Sequence, residues 1–125
     1  MTQKLSTYLI IILLLFGCNS ENSSSAKDSV AYKLASIDAN EHLNHDDRRI
    51  PQYKDALNSL TARFKLSETD IGDKTVFIVK KLKRNQINSS VLEIMQAVIS
   101  MKESSDLGMS YDETLVILSR QMLNK

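Results

Sequence analysis

The chain has 125 residues, of which 42% are hydrophobic and 25% are charged, and this length and balance predict a single domain. Three Gly and one Pro are too few for the regular turns of an all-β sandwich, and one Cys excludes an intramolecular disulfide framework. The formal net charge of +1 gives no bulk electrostatic attraction for nucleic acid, so we expect no such partner. Only 6% of the residues are aromatic and Trp is absent, which predicts an aliphatic core.

The N-terminus has the features of a secretion signal. Lys4 provides a positive charge ahead of an unbroken apolar run of nine residues from Tyr8 to Phe16. This run is too short for a hydrocarbon core of about 30 Å, which takes about 20 residues in a helix. The segment therefore predicts the apolar region of a signal peptide and not a transmembrane anchor.

The apolar run ends in Leu15-Phe16-Gly17-Cys18, which resembles the lipobox of bacterial lipoproteins. The shared features are an aliphatic residue three positions before the Cys and a small residue directly before it; Phe16 is bulkier than the usual residue at its place. The resemblance implies that residues 1–17 are removed as a signal peptide and that Cys18 carries a covalent lipid, with no other cofactor. The alternatives are an ordinary signal peptide, although no A-x-A-like site is present, and an uncleaved short anchor.

Residues 18–29 are predicted to be a flexible tether between this lipid and the folded domain. From Asn19 to Ser29 the chain is rich in Ser and Asn and nearly devoid of apolar residues, so it cannot bury enough surface to order itself. Its eleven residues reach about 20 Å. The membrane is therefore the first expected partner, and the location is the bacterial cell envelope. Asn19 is not the Asp that signals inner-membrane retention, which favours the outer membrane in a Gram-negative host.

From Val30 onward, apolar residues recur with a period close to 3.6, which predicts an all-α domain over 30–125. We expect a small bundle of about five short helices. The first runs from Val30 to near Asn44, and the second begins near Pro51 and ends near Lys65. The apolar stripe of the second helix comprises Tyr53, Ala56, Leu57, Leu60 and Phe64.

The third helix is predicted by complementary signals at its two ends. Ser67-Glu68-Thr69-Asp70 resembles a capping box, with Asp in place of the usual Glu or Gln. A basic cluster suits the negative end of the helix dipole, and it could alternatively contact phosphates or lipid headgroups: Lys80, Lys81, Lys83 and Arg84. The predicted buried face is Ile71, Val76, Ile78, Val79 and Leu82. The segment from Thr75 to Val79 could instead form a strand.

Two further helices complete the predicted bundle. Asn85 to Ser89 is a turn, and the fourth helix follows with Val91, Leu92, Met95, Val98 and Ile99 on its apolar face. A second loop covers 104–108. Ser110-Tyr111-Asp112-Glu113 is a full capping box, which predicts the start of the fifth helix. The apolar residues of that helix are Leu115, Leu118 and Met122.

One polar cluster contains residue types that bind metals: Glu41, His42, His45, Asp46 and Asp47. His42 and His45 are three residues apart and would share a face on a helix, so with Asp46 they form a hypothetical divalent-metal site. The alternative is a solvated turn at a helix end. No G-x-S-x-G motif is present, and no thiol is left free once Cys18 is modified, so we expect no catalytic site.

These observations lead to two main hypotheses. The first is a lipid-anchored, non-catalytic protein whose helical domain binds a protein or a cell-envelope component, which requires an exposed apolar groove between helices. The second is an envelope protein that binds a metal or small ligand at His42 and His45. In addition, 87–101 and the sequence GMSYDETLVIL at 108–118 resemble small helical bacterial and prophage lipoproteins. Some lipid-anchored phage proteins of this size block superinfecting DNA, which is a third possible role.

Overall fold

The computed structural model describes residues 28–101 and 108–125, and these residues form five α-helices without a strand. The helices are α1 (Val30–Ala39), α2 (Ile50–Phe64), α3 (Glu68–Arg84), α4 (Val91–Ser100) and α5 (Tyr111–Leu123). The predicted all-α bundle is therefore confirmed. The predicted signal peptide, Cys18 and most of the predicted tether lie outside the described residues, as does most of the predicted loop at 104–108.

Helices α3 and α4 form the centre of the bundle, because each of them packs against all four other helices. The core contains mainly aliphatic side chains, and the most deeply buried include Leu57, Leu60, Ile71, Leu82 and Met95. Gly72 lets α1 approach α3 closely. A Cβ atom at Gly72 would lie 3.3 Å from Val30 Cγ1 and 3.5 Å from Leu34 Cδ2, which leaves little room for a side chain.

Four of the five helices begin at a serine whose hydroxyl accepts a backbone N–H bond: Ser29, Ser67, Ser90 and Ser110. The capping box predicted at Ser110 is present, since Glu113 bonds back to the Ser110 amide. Ser90 and Glu93 form a second full box. Such caps satisfy amides that have no partner inside the helix.

Two helices end at a residue with left-handed backbone, and neither residue is glycine. Asn40 ends α1 and Lys65 ends α2, each with a φ of 58°; Gln86, one residue beyond the C-cap of α3, has a φ of 65°. Asn40 explains why α1 ends at Ala39 rather than near Asn44, as the periodicity predicted. The amides of Asn40 and Glu41 bond to the carbonyls of Ile37 and Ser36, an arrangement that closes a helix and turns the chain away.

The strand alternative at Thr75 to Val79 is wrong, because this segment lies in the middle of α3. The Thr75 hydroxyl donates to the Ile71 carbonyl, one helical turn earlier, at 2.6 Å. Thr75 and Ile78 of this segment pack on the buried side of the helix, where tertiary contacts outweigh a weak local preference for strand.

Candidate functional site

The segment between α1 and α2 places the two histidines differently from the sequence prediction. Residues 41–49 are not helical, so His42 and His45 do not share a helix face. The His45 ring stacks on Tyr32, with ring centroids 4.4 Å apart, and its Nε2 lies 3.9 Å from Asp28 Oδ1. His42 is exposed and lines the same groove beside α1 as Asp28 and Tyr32, but no contact joins it to His45. The physical reason is the early end of α1 at Asn40.

The acidic residues of this segment also have separate surroundings. Asp46 is exposed, whereas both carboxylate oxygens of Asp47 accept bonds from the Arg49 side chain at 2.9 Å. These bonds lower the pKa of Asp47 to about 2. In the part of the chain that the structure describes, no three His, Cys, Asp or Glu side chains group in a way that could hold a metal ion. Metal binding at His42, His45 and Asp46 stays a prediction.

Asp38 joins three helices through its carboxylate. Its Oδ2 accepts a hydrogen bond from the Tyr53 hydroxyl at 2.6 Å. Its two oxygens also accept the Val91 and Leu92 amides, at 2.8 and 3.1 Å, which are the first two amides of α4. A carboxylate is well placed there because a helix N-terminus carries partial positive charge. Burial, followed by the bond to Asp38, raises the pKa of the Tyr53 hydroxyl well above its usual value.

Arg63 has the complementary role at the other end of α4. Its Nη1 and Nη2 atoms donate to the Val98 and Ile99 carbonyls, each at 3.0 Å. A guanidinium suits a helix C-terminus, where the carbonyls carry partial negative charge. Helix α4 is therefore held at both ends by charged side chains from α1 and α2.

A third polar contact lies in the core between α3 and α5. The Thr75 and Tyr111 hydroxyl oxygens are 2.6 Å apart, and the Tyr111 ring packs on Phe64 with centroids 5.1 Å apart. Burial raises the pKa of Tyr111 to about 12. The hydroxyl keeps its proton, so it can bond to Thr75 without placing a charge in the core.

The motifs and apolar stripes of the sequence do not single out Asp38 or Arg63, although a signal for both is present. Asp38 follows Leu34 by four residues and Arg63 follows Leu60 by three, so both extend a buried stripe. A charged residue at such a position needs a buried partner. The identity of that partner depends on the tertiary fold.

The most exposed large apolar side chains of the described residues are Phe77 and Ile37, which are 62% and 51% exposed. Both line an open groove of about 450 Å³ between α1 and α3, which we call the α1–α3 groove. Val30, Leu34 and Val76 extend its apolar lining. A second open groove, of about 780 Å³, borders the other side of α1 and shares Lys33 and Ile37.

Charged residues accompany the apolar side chains of the α1–α3 groove. Lys33, Asp73 and Lys80 all line it and are exposed. No salt bridge within the described residues involves Lys33 or Lys80, whereas Lys54 and Lys74 are paired with Glu68 and Asp112. The groove thus combines uncovered apolar surface with cations that the fold does not neutralise.

Comparisons of the chain with protein-family models, with curated proteins and with solved structures each found no match. Among the helices of residues 28–101 and 108–125, none has the length and hydrophobicity that crossing a membrane requires.

Proposed function

We propose that this protein is a bacterial lipoprotein, anchored through a lipid on Cys18, whose helical domain has a non-catalytic binding role at the cell envelope. The anchor is supported by the sequence Leu15 to Cys18, by the short apolar run before it and by the single Cys of the chain. The partner is a component of the envelope, and the binding surface is the α1–α3 groove.

The observation that carries the binding role is the joint exposure of Phe77 and Ile37 in one groove. These side chains come from different helices but line the same groove, together with Val30, Leu34 and Val76, so they are not isolated exposed residues. Uncovered apolar surface between helices is typical of sites that bind a partner. In contrast, Asp38, Arg63 and Tyr111 are engaged in bonds that join the helices.

The anchor is tested by labelling cells with a fatty-acid probe. The wild-type protein should take up the label and sediment with membranes, whereas Cys18→Ser should remain unlabelled. Equal labelling of both proteins contradicts the proposed anchor.

The binding surface is tested by photo-crosslinking in the same cells. A photoreactive amino acid replaces Phe77 in one version of the full chain and Val116 in another. Val116 is a suitable control because it is exposed, at 38%, but lies on α5. Adducts should form from position 77 and not from position 116. Equal yields at the two positions would remove the assignment of the groove.

A further inference from the structure

The α1–α3 groove has the composition of a membrane-contacting surface. Its apolar side chains are Phe77 and Ile37, and the lysines Lys33 and Lys80 border them. Amphipathic surfaces that lie on a bilayer combine apolar side chains with Lys or Arg, whereas the cores of protein–protein interfaces are depleted in Lys. This difference favours lipid over a protein partner.

The last turn of α3 increases the positive charge near the groove. It carries Lys81, Lys83 and Arg84, and no salt bridge within the described ranges involves any of them. These cations suit the helix dipole, but the dipole does not account for the exposure of Phe77 on the same helix. Asp73 also lines the groove and opposes the two lysines there, which leaves a positive balance. Asp28 and Glu41 line the neighbouring groove.

The chain enters the domain beside this surface. Ser29 caps α1, and Val30, the next residue, lines the α1–α3 groove. Only eleven residues, Asn19 to Ser29, separate Cys18 from α1, so a lipid on Cys18 limits how far the groove can lie from the bilayer. Such a short link gives a high effective concentration, and a weak contact is then sufficient for docking.

We propose that the α1–α3 groove docks on an anionic phospholipid surface, with Phe77 and Ile37 at the boundary between headgroups and acyl chains. Lys33 and Lys80 contact lipid phosphates. This inference rests on the proposed lipid anchor, and it makes the bilayer itself the envelope component that the groove contacts.

The absence of Trp from the chain allows a direct test. Phe77→Trp places a single fluorophore in the groove, and Val116→Trp places one on α5 as the matched control. Each acylated variant, which begins at Cys18, is reconstituted into vesicles of phosphatidylcholine, alone or mixed with phosphatidylglycerol. Emission from position 77 should shift to the blue and be quenched by brominated lipid in the anionic vesicles, while emission from position 116 should change little.

A second variant tests the cations. Phe77→Trp is combined with Lys33→Gln and Lys80→Gln. Relative to Phe77→Trp alone, this variant should have a ratio of docked to undocked protein that is lower by about 30-fold, because each basic residue near an anionic surface contributes to binding. Quenching should therefore fall toward that of the control.

The outcomes separate the two proposals. Acylated, vesicle-bound protein in which position 77 is quenched no more than position 116 overturns lipid docking and leaves the anchor intact. A protein adduct at position 77 in cells, without quenching in vesicles, also overturns lipid docking and assigns the groove to a protein partner. A mass spectrum without lipid on Cys18 overturns the anchor, and the docking inference is lost with it.

Discussion

Helix α1 has two sides with opposite chemistry. On its inner side, Asp38 accepts three hydrogen bonds, from a tyrosine of α2 and two amides of α4. On its outer side, Lys33 has no ion pair with a described residue, and Ile37 is half exposed. The inner side holds the bundle together, whereas the fold does not depend on the outer side. Substitutions on the two sides should therefore affect different properties, stability in one case and binding in the other.

The largest effect on stability is expected in the core that Asp38 helps to assemble. Leu60 is fully buried, so Leu60→Ala leaves a cavity and should lower the free energy of unfolding by about 2–5 kcal/mol. Urea denaturation followed by circular dichroism measures this loss. A change of less than about 1 kcal/mol would mean that Leu60 is not a core residue.

The inner side itself is tested by Asp38→Ala, which removes the carboxylate from the α4 N-terminus. Hydrogen bonds to charged groups typically contribute about 1.5–3 kcal/mol, and we expect a loss in that range. Asp55→Ala is the matched control, because Asp55 is exposed on α2 and should change stability by no more than about 0.5 kcal/mol. Equal losses of stability for the two variants would show that the hydrogen bonds of Asp38 do not stabilise the bundle.

The buried Tyr111 hydroxyl makes stability dependent on alkaline pH. Its folded-state pKa of about 12 lies above the value of about 10 for an unfolded tyrosine. The stability that depends on the protonated Tyr111 hydroxyl is fully present below pH 10. It is lost as the pH rises toward 12, and the free energy of unfolding is lower by about 1.4 kcal/mol at pH 11. Tyr111→Phe should lack this share of the decline. Parallel stability curves for the two proteins between pH 9 and pH 11 would contradict the assignment.

The smallest effect on stability is expected on the outer side. Phe77→Ser and Ile37→Ser remove exposed apolar surface, so each should change the free energy of unfolding by no more than about 0.5 kcal/mol. The same variants should give fewer envelope contacts when a photoreactive residue occupies a neighbouring position in the groove. A large loss of stability would assign Phe77 to the fold and not to binding.

The parts of the fold that the sequence predicted are local. Helix starts depend on residues three apart, such as Ser110 and Glu113, and the apolar stripe of α2 repeats every three to four residues. These signals lie within one turn of a helix, so they can be identified without knowing which helices pack together. The position of the core followed from them in part: Ile71, Ile78 and Leu82 of α3 are buried as predicted, whereas Val76 and Val79 are only partly buried.

The parts that the sequence did not predict depend on distant residues. Asp38 and Val91 are 53 residues apart, and Arg63 and Val98 are 35 apart, so no local pattern links them. The apolar period of the first helix extends to Leu43, so the sequence predicts an end near Asn44, whereas α1 ends at Ala39. Leu43 is buried, but in the connecting segment, where its carbonyl accepts the Tyr32 hydroxyl. The exposure of Phe77 likewise depends on a distant element, because α1 borders the α1–α3 groove without covering this side chain.

The hydrogen bonds of Asp38 also affect how the domain resists a pulling force. Under the proposed anchor at Cys18, a pulling force reaches the domain through Ser29 and enters it along α1. Near its far end, α1 is bonded through Asp38 to both α2 and α4, so the force is shared among three helices. In single-molecule pulling, Asp38→Ala should lower the unfolding force more when the pull is applied at Ser29 than when it is applied across α5. Equal lowering in both directions would mean that Asp38 does not transmit the force.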